Sequence, residues 1–420
     1  MEERKQMTRD ELIEESEDYL TELCVRTSNR AVGSEGNRRA TEFLAGRLAS
    51  LGWPVETERF PALDWQEDGA DLRCGSEAFA VFPSPYSLGC ELTAPLIAAA
   101  TVAELAALDV RGKVLLLHGE LAREQIMPKG FVFYNPEEHR RIVALLEAGG
   151  ASALVCATGY NPGTAGGVYP FPLFEDGDFD LPSVFMTEAE GKRLLPRVGQ
   201  EVGLHSRARR IPSFGDNVVA GKGATAERRI VVSAHIDAKK GTPGAIDNAT
   251  GVIVLLLLAE LLRDYAGEDR IELAAFNGED YYAVPGQMAF LRANQGRFGT
   301  IRLNINIDGA GYREGGTYFS PFDLPPEIEA RVREVICRHA VVREGPQWVQ
   351  GDHSIFVQQG IPAIAVSSQW FIDHLEEQRI THTASDHPGI VSCETLVDTA
   401  YALAELLESL GERGVSGRSI

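Results

Sequence analysis

Cysteine and positive charge are scarce in this 420-residue sequence. Its six cysteines are scattered and include no Cys-x-x-Cys pair, which argues against a disulfide framework or a cysteine metal site. Lys and Arg together number 40 against 61 Asp and Glu, so the formal net charge is −21. We therefore expect no nucleic-acid partner and no anionic membrane partner, because the phosphates of both would be repelled.

Long apolar runs are also missing. The longest, at positions 252–259, is far too short to cross a bilayer. The N-terminal stretch MEERKQMTRDELIEESEDYL lacks the apolar core of a secretory signal. We therefore expect a cytoplasmic protein that does not span a membrane.

The length exceeds that of one ordinary hydrophobic core, so we expect two domains. Positions 61–212 combine short strand-like runs with turns rich in Pro and Gly, which predicts an inserted β-rich domain. Residues 1–60 and 213–420 would then form one discontinuous domain. In its first part, Thr8 and Glu11 form a capping-box pattern that opens a helix, and a second helix is predicted between Ser34 and Gly52.

The second part of the discontinuous domain alternates strands with helices. Strands are predicted at 230–234, 271–276, 301–307 and 361–366, and helices at 249–265 and 394–410. Nearly continuous apolar strands in such an order are typical of an α/β protein with a mixed, mostly parallel sheet sandwiched by helices.

Acidic and histidine residues follow several of these strands, at the edge of an open α/β sheet where ligands gather. They are His235 and Asp237 in AHID, Asp247 in GAIDNATG, Glu279 and Asp280 in FNGED, Asp308 in NINID and His382 in THTASD.

Each of these motifs also has an ordinary structural interpretation. Asp247 could be a helix N-cap, the Glu279-Asp280 pair a solvated turn, and Asp308 before a glycine a turn initiator. A His-x-Asp pair after a strand is usually only a satisfied polar pair. The concentration of all of them at strand ends favours a shared site.

This residue set suits a pair of zinc ions. Zinc binds imidazole nitrogen and carboxylate oxygen, and two zincs about 3.5–4 Å apart need a bridging carboxylate to offset their repulsion. A further carboxylate, which is not a ligand, must accept a proton from water. Asp237, two residues beyond His235, could hydrogen-bond the other imidazole nitrogen of that histidine.

The ordered set H-x-D, D-N, E-D, D and H resembles peptidase family M28. This family includes bacterial leucine-type aminopeptidases, plasma glutamate carboxypeptidase and the folate-hydrolysing glutamate carboxypeptidases. The likeness covers positions 7–60 and 216–410 and implies the zinc exopeptidase fold. The stretch GDHSIF, with Asp352 and His353, is similar to the family's S-D-H segment near the substrate pocket, although it could equally be a turn before a helix.

The resemblance also implies a role for each site residue. His235 and Asp308 would bind one zinc, Asp280 and His382 the other, and Asp247 would bridge the two. Glu279 would be the catalytic base and Asp237 the partner of His235. The peptide bond between Asp247 and Asn248 is expected to be cis.

Two segments qualify the resemblance. Many relatives carry Glu-Glu where this chain has Glu279-Asp280, and YYAVPGQ replaces the usual Gly-Leu-x-Gly-Ser that follows, which leaves the side-chain preference open. The inserted segment, with VRGKVLLLHG and LPSVFMTEAEGKRLL, resembles a protease-associated (PA) domain; an unrelated β-rich lid is the alternative.

The predicted activity is a di-zinc aminopeptidase that acts on small peptides, with a homo-oligomer possible. Two alternatives stay open. One is a carboxypeptidase on the same site, and the other is a single-zinc glutaminyl cyclase-like acyltransferase, which zinc stoichiometry would distinguish.

Overall fold

The protein is described by a computed structural model that covers residues 7–27, 29–131 and 134–411. The chain divides into two compact units. The larger unit comprises Met1–Phe60, Phe214–Leu375 and Thr381–Ile420, and the inserted unit comprises Pro61–Ser213 with Glu376–Ile380. The predicted insert at 61–212 did not include this last short segment.

The strands are β1 (Val55–Cys74), β2 (Glu77–Phe79), β3 (Phe82–Pro83), β4 (Cys90–Ala99), β5 (Val114–Leu117), β6 (Ala153–Thr158), β7 (Ser183–Thr187), β8 (Glu201–Lys222), β9 (Thr225–His235), β10 (Asp269–Phe276), β11 (Ile301–Ile307), β12 (Thr317–Phe322), β13 (Val342–Glu344) and β14 (Ala363–Ser368). The helices are α1 (Arg9–Thr21), α2 (Glu35–Ser50), α3 (Val102–Ala107), α4 (Glu137–Gly149), α5 (Pro162–Ala165), α6 (Glu188–Leu194), α7 (Thr250–Leu261), α8 (Pro285–Ala293), α9 (Pro326–Arg338), α10 (His353–Val357), α11 (Gln369–Asp373) and α12 (Cys393–Gly411).

The first two helices begin where their capping residues predict. Thr8 and Glu11 form both hydrogen bonds of a capping box at the start of α1. The Ser34 hydroxyl accepts the backbone N–H of Asn37 at the start of α2. Gly52 follows α2 with a φ of +78°, a conformation that glycine adopts without steric cost. These local interactions satisfy backbone N–H groups at the start of both helices and end the second helix.

The sheet of the larger unit has the order β13-β12-β14-β11-β9-β10-β8. Its central pairs, β14 with β11, β11 with β9 and β9 with β10, are parallel. β8 runs antiparallel to β10, and β12 runs antiparallel to β14. The predicted mixed, mostly parallel sheet is therefore confirmed.

Both faces of this sheet carry helices. Because successive side chains of a strand point to opposite faces, Ala275 and Phe276 at the end of β10 face different layers. Ala275 belongs to the core that includes α7 and α12. The Phe276 ring contacts Phe290 of α8, with centroids 4.9 Å apart, and Phe356 of α10, at 6.2 Å.

Helix α7 lies in the centre of the larger core. Every residue from Thr250 to Glu260 is buried, so this helix is apolar on all sides and not only along one stripe. Full burial of each large apolar side chain contributes roughly 1.5–3 kcal/mol. The helix therefore fixes the position of the residues that immediately precede it.

In the inserted unit, β4, β5, β6 and β7 form a sheet by parallel pairing, and the first part of β8 pairs antiparallel with β4. β3 adds antiparallel to β7, and β1 and β2 form an antiparallel pair. Helix α4 leads directly into strand β6. Two apolar cores surround this sheet. Within this unit, the Tyr160 hydroxyl donates a hydrogen bond to the backbone carbonyl of Gln378.

Among the residues that the structure describes, no helix combines the length and the apolarity needed to cross a membrane.

Candidate metal centre

The predicted site residues meet at one edge of the larger sheet. His235 is the last residue of β9, Asp308 directly follows β11, and Asp280 lies four residues beyond the end of β10. Because these three strands are adjacent and parallel, their carboxyl ends lie together. Asp247 precedes α7, and His382 lies in the segment before α12.

The carboxylate of Asp247 lies between two groups of nitrogen and oxygen atoms. Its Oδ1 is 3.1 Å from Nε2 of His235, and that nitrogen is 3.5 Å from Oδ1 of Asp308. Its Oδ2 is 3.1 Å from Nε2 of His382, and that nitrogen is 3.1 Å from Oδ1 of Asp280. Each oxygen of one carboxylate thus faces one histidine–aspartate pair.

These atoms fit a metal site. Nε2 of His235 and Oδ2 of Asp280 are buried and have no hydrogen-bond partner among the described residues. Ligand atoms of His235, Asp247 and Asp280 all lie within 4.8 Å of one another. Imidazole nitrogen and carboxylate oxygen are the donors that zinc accepts. Three carboxylates would also offset most of the charge of two divalent cations.

The electrostatics of the cluster favour positive charge. Burial opposes a charged imidazole, but the surrounding carboxylates outweigh it and raise the pKa values of His235 and His382 well above the usual range. Burial also opposes a charge on Asp247 and so tends to raise its pKa. The two histidines outweigh burial and hold the pKa of Asp247 far below the usual range. The carboxylates of this cluster therefore create a negative environment that favours a bound cation.

Glu279 does not belong to either of the two groups around Asp247. Burial, together with the negative charges of Asp280, Asp308 and Asp352, raises the pKa of Glu279 well above its usual range. A carboxyl group with a high proton affinity beside a candidate metal site is suited to proton transfer.

Asp237 lies beside both His235 and the Glu279-Asp280 pair. Nδ1 of His235 is 3.2 Å from the backbone oxygen of Asp237 and 3.6 Å from its Oδ1. The Asp237 carboxylate accepts the backbone N–H groups of Gly278 at 2.7 Å, Glu279 at 3.3 Å and Asp280 at 3.0 Å. The sequence suggested a hydrogen bond between His235 and the Asp237 carboxylate, whereas the nearer acceptor is the backbone oxygen of Asp237. The sequence gave no sign that this carboxylate also fixes the Glu279-Asp280 segment.

Asn248 fixes the strand end that carries Asp308. The peptide bond between Asp247 and Asn248 is cis, as expected from the resemblance. The Asn248 amide donates to the backbone oxygen of Ile307 at 2.8 Å and accepts the N–H of Gly309 at 3.3 Å. These two residues flank Asp308, so Asn248 ties Asp308 to the neighbouring Asp247.

The GDHSIF stretch lies beside this site. Oδ1 of Asp352 accepts a 2.8 Å hydrogen bond from Nε2 of Gln287, and both side chains are buried. Burial raises the pKa of Asp352 to about 7. Nε2 of His353 donates to the backbone oxygen of Trp348 at 2.9 Å. Asp352 and His353 stand outside the two groups around Asp247.

Residues 217–407 match the model of peptidase family M28. This region contains all seven of the site residues that the sequence suggested. Over 318 residues the chain is 22% identical to the probable lipoprotein aminopeptidase LpqL of Mycobacterium tuberculosis, a match that covers 73% of this chain and 60% of that protein. The chain thus spans about 60% of the length of this curated relative.

Solved structures share the fold over nearly the whole chain. The aminopeptidase from Aneurinibacillus sp. strain AM-1 has a TM-score of 0.74 at 20% identity, covering 96% of this chain and 94% of that one. The zinc aminopeptidase BSAP from Bacillus subtilis has a TM-score of 0.73 at 18% identity, covering 95% of each chain. At such identities the likeness establishes the fold.

Proposed function

We propose that this protein is a zinc-dependent aminopeptidase that removes the N-terminal residue of small peptides and uses two zinc ions. The observation that carries the proposal is the Asp247 carboxylate, with one oxygen facing His235 and Asp308 and the other facing His382 and Asp280. The match to the model of peptidase family M28 and the aminopeptidase names of the relatives support it.

The chain's own residues provide all the ligands in this proposal. His235 and Asp308 would hold one zinc, Asp280 and His382 would hold the other, and Asp247 would be a ligand of both. When bound, zinc supplies Lewis acidity that polarises a peptide carbonyl and lowers the pKa of a water molecule.

Glu279 is the general base of the proposed reaction. Its carboxylate takes a proton from the water that attacks the scissile carbonyl and then gives this proton to the leaving amine. The hydrogen bonds from the backbone N–H groups of residues 278–280 to Asp237 hold Glu279 in place. This arrangement supports a role for Asp237 as a positioning residue for the base and for its neighbour Asp280.

The choice of chain end follows from charge. The carboxylates of Asp237, Asp247, Glu279, Asp280 and Asp308 gather in one place, and the whole chain carries a net charge of −21. Such a field attracts an ammonium group and repels a terminal carboxylate. Arg30, a buried guanidinium, hydrogen-bonds to backbone carbonyl groups and is thus committed to the fold rather than to a substrate carboxylate.

A cytoplasmic location, a PA-like insert and a homo-oligomer remain predictions. Because the M. tuberculosis relative is described as a lipoprotein, fractionation of the native cells should decide the location. The alternative activities, carboxypeptidase and single-zinc cyclase-like acyltransferase, are separated by product analysis and by metal count.

Zinc titration of protein stripped with a chelator tests the metal part of the proposal. We expect saturation at two zinc ions per chain, and we expect Asp247→Ala to lose at least one of them. Asp264→Ala is the matched control, since the Asp264 side chain is 94% exposed in the same unit. Saturation of the unaltered protein at one zinc, with full activity, would favour the cyclase-like alternative.

A further inference from the structure

We propose that Asp386 and Arg30 are positioning residues that clamp the turn of residues 244–247 and so hold the Asp247 carboxylate between its two histidine–aspartate pairs. The inference rests on the proposed function, because it assigns these residues to the zinc site. Neither residue was suggested by the sequence.

Asp386 holds the turn by accepting hydrogen bonds from the backbone N–H groups of the turn residues. The Asp386 carboxylate is completely buried. Its Oδ1 accepts the N–H of Ile246 at 2.7 Å, and its Oδ2 accepts the N–H of Asp247 at 3.0 Å. The backbone oxygen of Asp386 also accepts the N–H of Ala245 at 3.3 Å. Three consecutive N–H groups, the last belonging to Asp247 itself, therefore end on one residue.

Arg30 holds the same turn by donating hydrogen bonds to backbone carbonyl groups of the turn. Its side chain is only 1% exposed. Nη1 donates to the backbone oxygen of Pro243 at 2.9 Å and Nη2 to that of Gly244 at 2.6 Å. Nε donates to the backbone oxygen of Ile236 at 3.1 Å. Since Ile236 directly follows His235, one guanidinium joins the segment of His235 to the turn of Asp247.

The tight turn leaves little room for adjustment. Gly244 has a φ of +58°, and a Cβ at this position would lie 2.5 Å from the Ala238 side chain and 2.8 Å from Nη2 of Arg30. A planar guanidinium with a fixed fork of donors matches two successive carbonyl groups, which a lysine could not do. Burial of a cation is costly, and the hydrogen bonds from Arg30 to backbone carbonyl groups compensate for part of this cost.

This clamp bears on the metal site in two ways. A shift of the Asp247 backbone moves both carboxylate oxygens, so it weakens both histidine–aspartate groups at once. Asp386 also lies four residues after His382, in the same segment before α12. Residues that orient metal ligands in this way typically change metal affinity 10–100-fold when they are replaced.

The test compares Asp386→Asn with Asp269→Asn. Asparagine keeps the size of the side chain, but its NH₂ group cannot accept an N–H, so one backbone donor of the turn loses its acceptor. Asp269 is an equally buried carboxylate at the opposite end of β10, bound to Arg228 and Arg302, and it controls for simple loss of stability. Zinc affinity is measured by competition with a chromogenic chelator, and the visible spectrum of the cobalt(II)-substituted protein reports ligand geometry.

We expect Asp386→Asn to weaken zinc binding by 10- to 100-fold and to change the cobalt spectrum, whereas Asp269→Asn leaves both unchanged. Unaltered zinc affinity and spectrum in folded Asp386→Asn would overturn the clamp. If this variant does not fold, Arg30→Lys replaces it in the test, because lysine keeps the positive charge but lacks the forked donors of the guanidinium group. We then expect the same loss of zinc affinity and change in the cobalt spectrum, and unaltered values would overturn the clamp.

The two proposals fail separately. If the unaltered protein binds zinc and responds to Asp386→Asn as expected but cleaves no peptide, the clamp stands and the aminopeptidase proposal is wrong. If the unaltered protein cleaves peptides and Asp386→Asn binds zinc normally, only the clamp is wrong.

Discussion

The carboxylates around the proposed metal centre differ in where their hydrogen bonds go. Asp237 and Asp386 accept backbone N–H groups of neighbouring segments. Asp247, Asp280 and Asp308 instead face imidazole nitrogens. One residue type therefore provides both the candidate ligands and the groups that hold those ligands in place.

Replacement of the proposed base gives the sharpest prediction for a single residue. Glu279→Gln should leave two zinc ions bound and reduce kcat by roughly 10²–10⁴, because only proton transfer is removed. Asp280→Ala should instead lose a metal. Steady-state kinetics with metal analysis of both variants checks this, and near-normal turnover of Glu279→Gln would make the assignment of the base wrong.

His353 predicts a pH-dependent stability. Burial lowers the pKa of His353 to about 4, in spite of its hydrogen bond to the carbonyl of Trp348. The ordinary value of about 6.5 applies in the unfolded chain. Below pH 6.5, His353 therefore binds a proton in the unfolded state but stays neutral in the folded state until the pH nears 4. The titration of His353 therefore lowers the stability of the protein as pH falls from about 6.5 to 4, with a contribution of roughly 3 kcal/mol.

Urea unfolding of chelator-treated protein between pH 7 and 4 measures this effect. We expect His353→Gln to lose less stability over this interval than the unaltered protein, since glutamine does not titrate. Parallel pH profiles of the two proteins would contradict the prediction.

At the scale of the elements, the ends of β9, β10 and β11 bring distant positions together, and α7 supports them from the core. Leu255 in α7 is fully buried, so Leu255→Ala should lower the free energy of unfolding by about 2–5 kcal/mol. Val25→Ala is the control, because Val25 is 61% exposed and should change stability by no more than about 0.5 kcal/mol. Equal effects in denaturant unfolding would show that α7 is not central to the core.

The elements also show how far the sequence could predict the structure. The strands β9, β10, β11 and β14 and the helices α7 and α12 are rich in apolar residues at strand or helix spacing, and this pattern was sufficient to predict them. Strand β12 and helix α9 were not predicted. β12 contains Ser320 and Pro321, which are not typical of a strand. It pairs antiparallel with β14, a partner that lies about 45 residues further along the chain.

The site was predictable only where side-chain chemistry identified it. His235, Asp247, Asp280, Asp308 and His382 carry ligand atoms and follow recognisable motifs. Arg30 lies more than 200 positions before the turn that it contacts, and its partners are backbone carbonyls. Because every residue has such carbonyls, no sequence pattern identified this contact. The hydrogen bonds that Asp386 accepts from backbone N–H groups could not be predicted for the same reason.

At the scale of the whole molecule, the net charge of −21 should influence which peptides arrive at the site. Cationic substrates are attracted over distances near the Debye length, and salt screens this attraction. We expect kcat/KM for a peptide with lysine in its second position to fall several-fold as ionic strength rises, and kcat/KM for its glutamate twin to rise or stay constant. Identical salt responses of the two peptides would show that the overall field does not steer substrates.

The most direct test of the central claim is to determine which end of a peptide the zinc-loaded protein cleaves. The measurement is mass spectrometry of the products from one peptide with a free N-terminus and from the same peptide after N-acetylation. The account predicts stepwise loss of N-terminal residues from the free peptide, no hydrolysis of the acetylated one, and little change when the far carboxylate is amidated. Removal of C-terminal residues from the acetylated peptide would contradict the account and establish a carboxypeptidase instead.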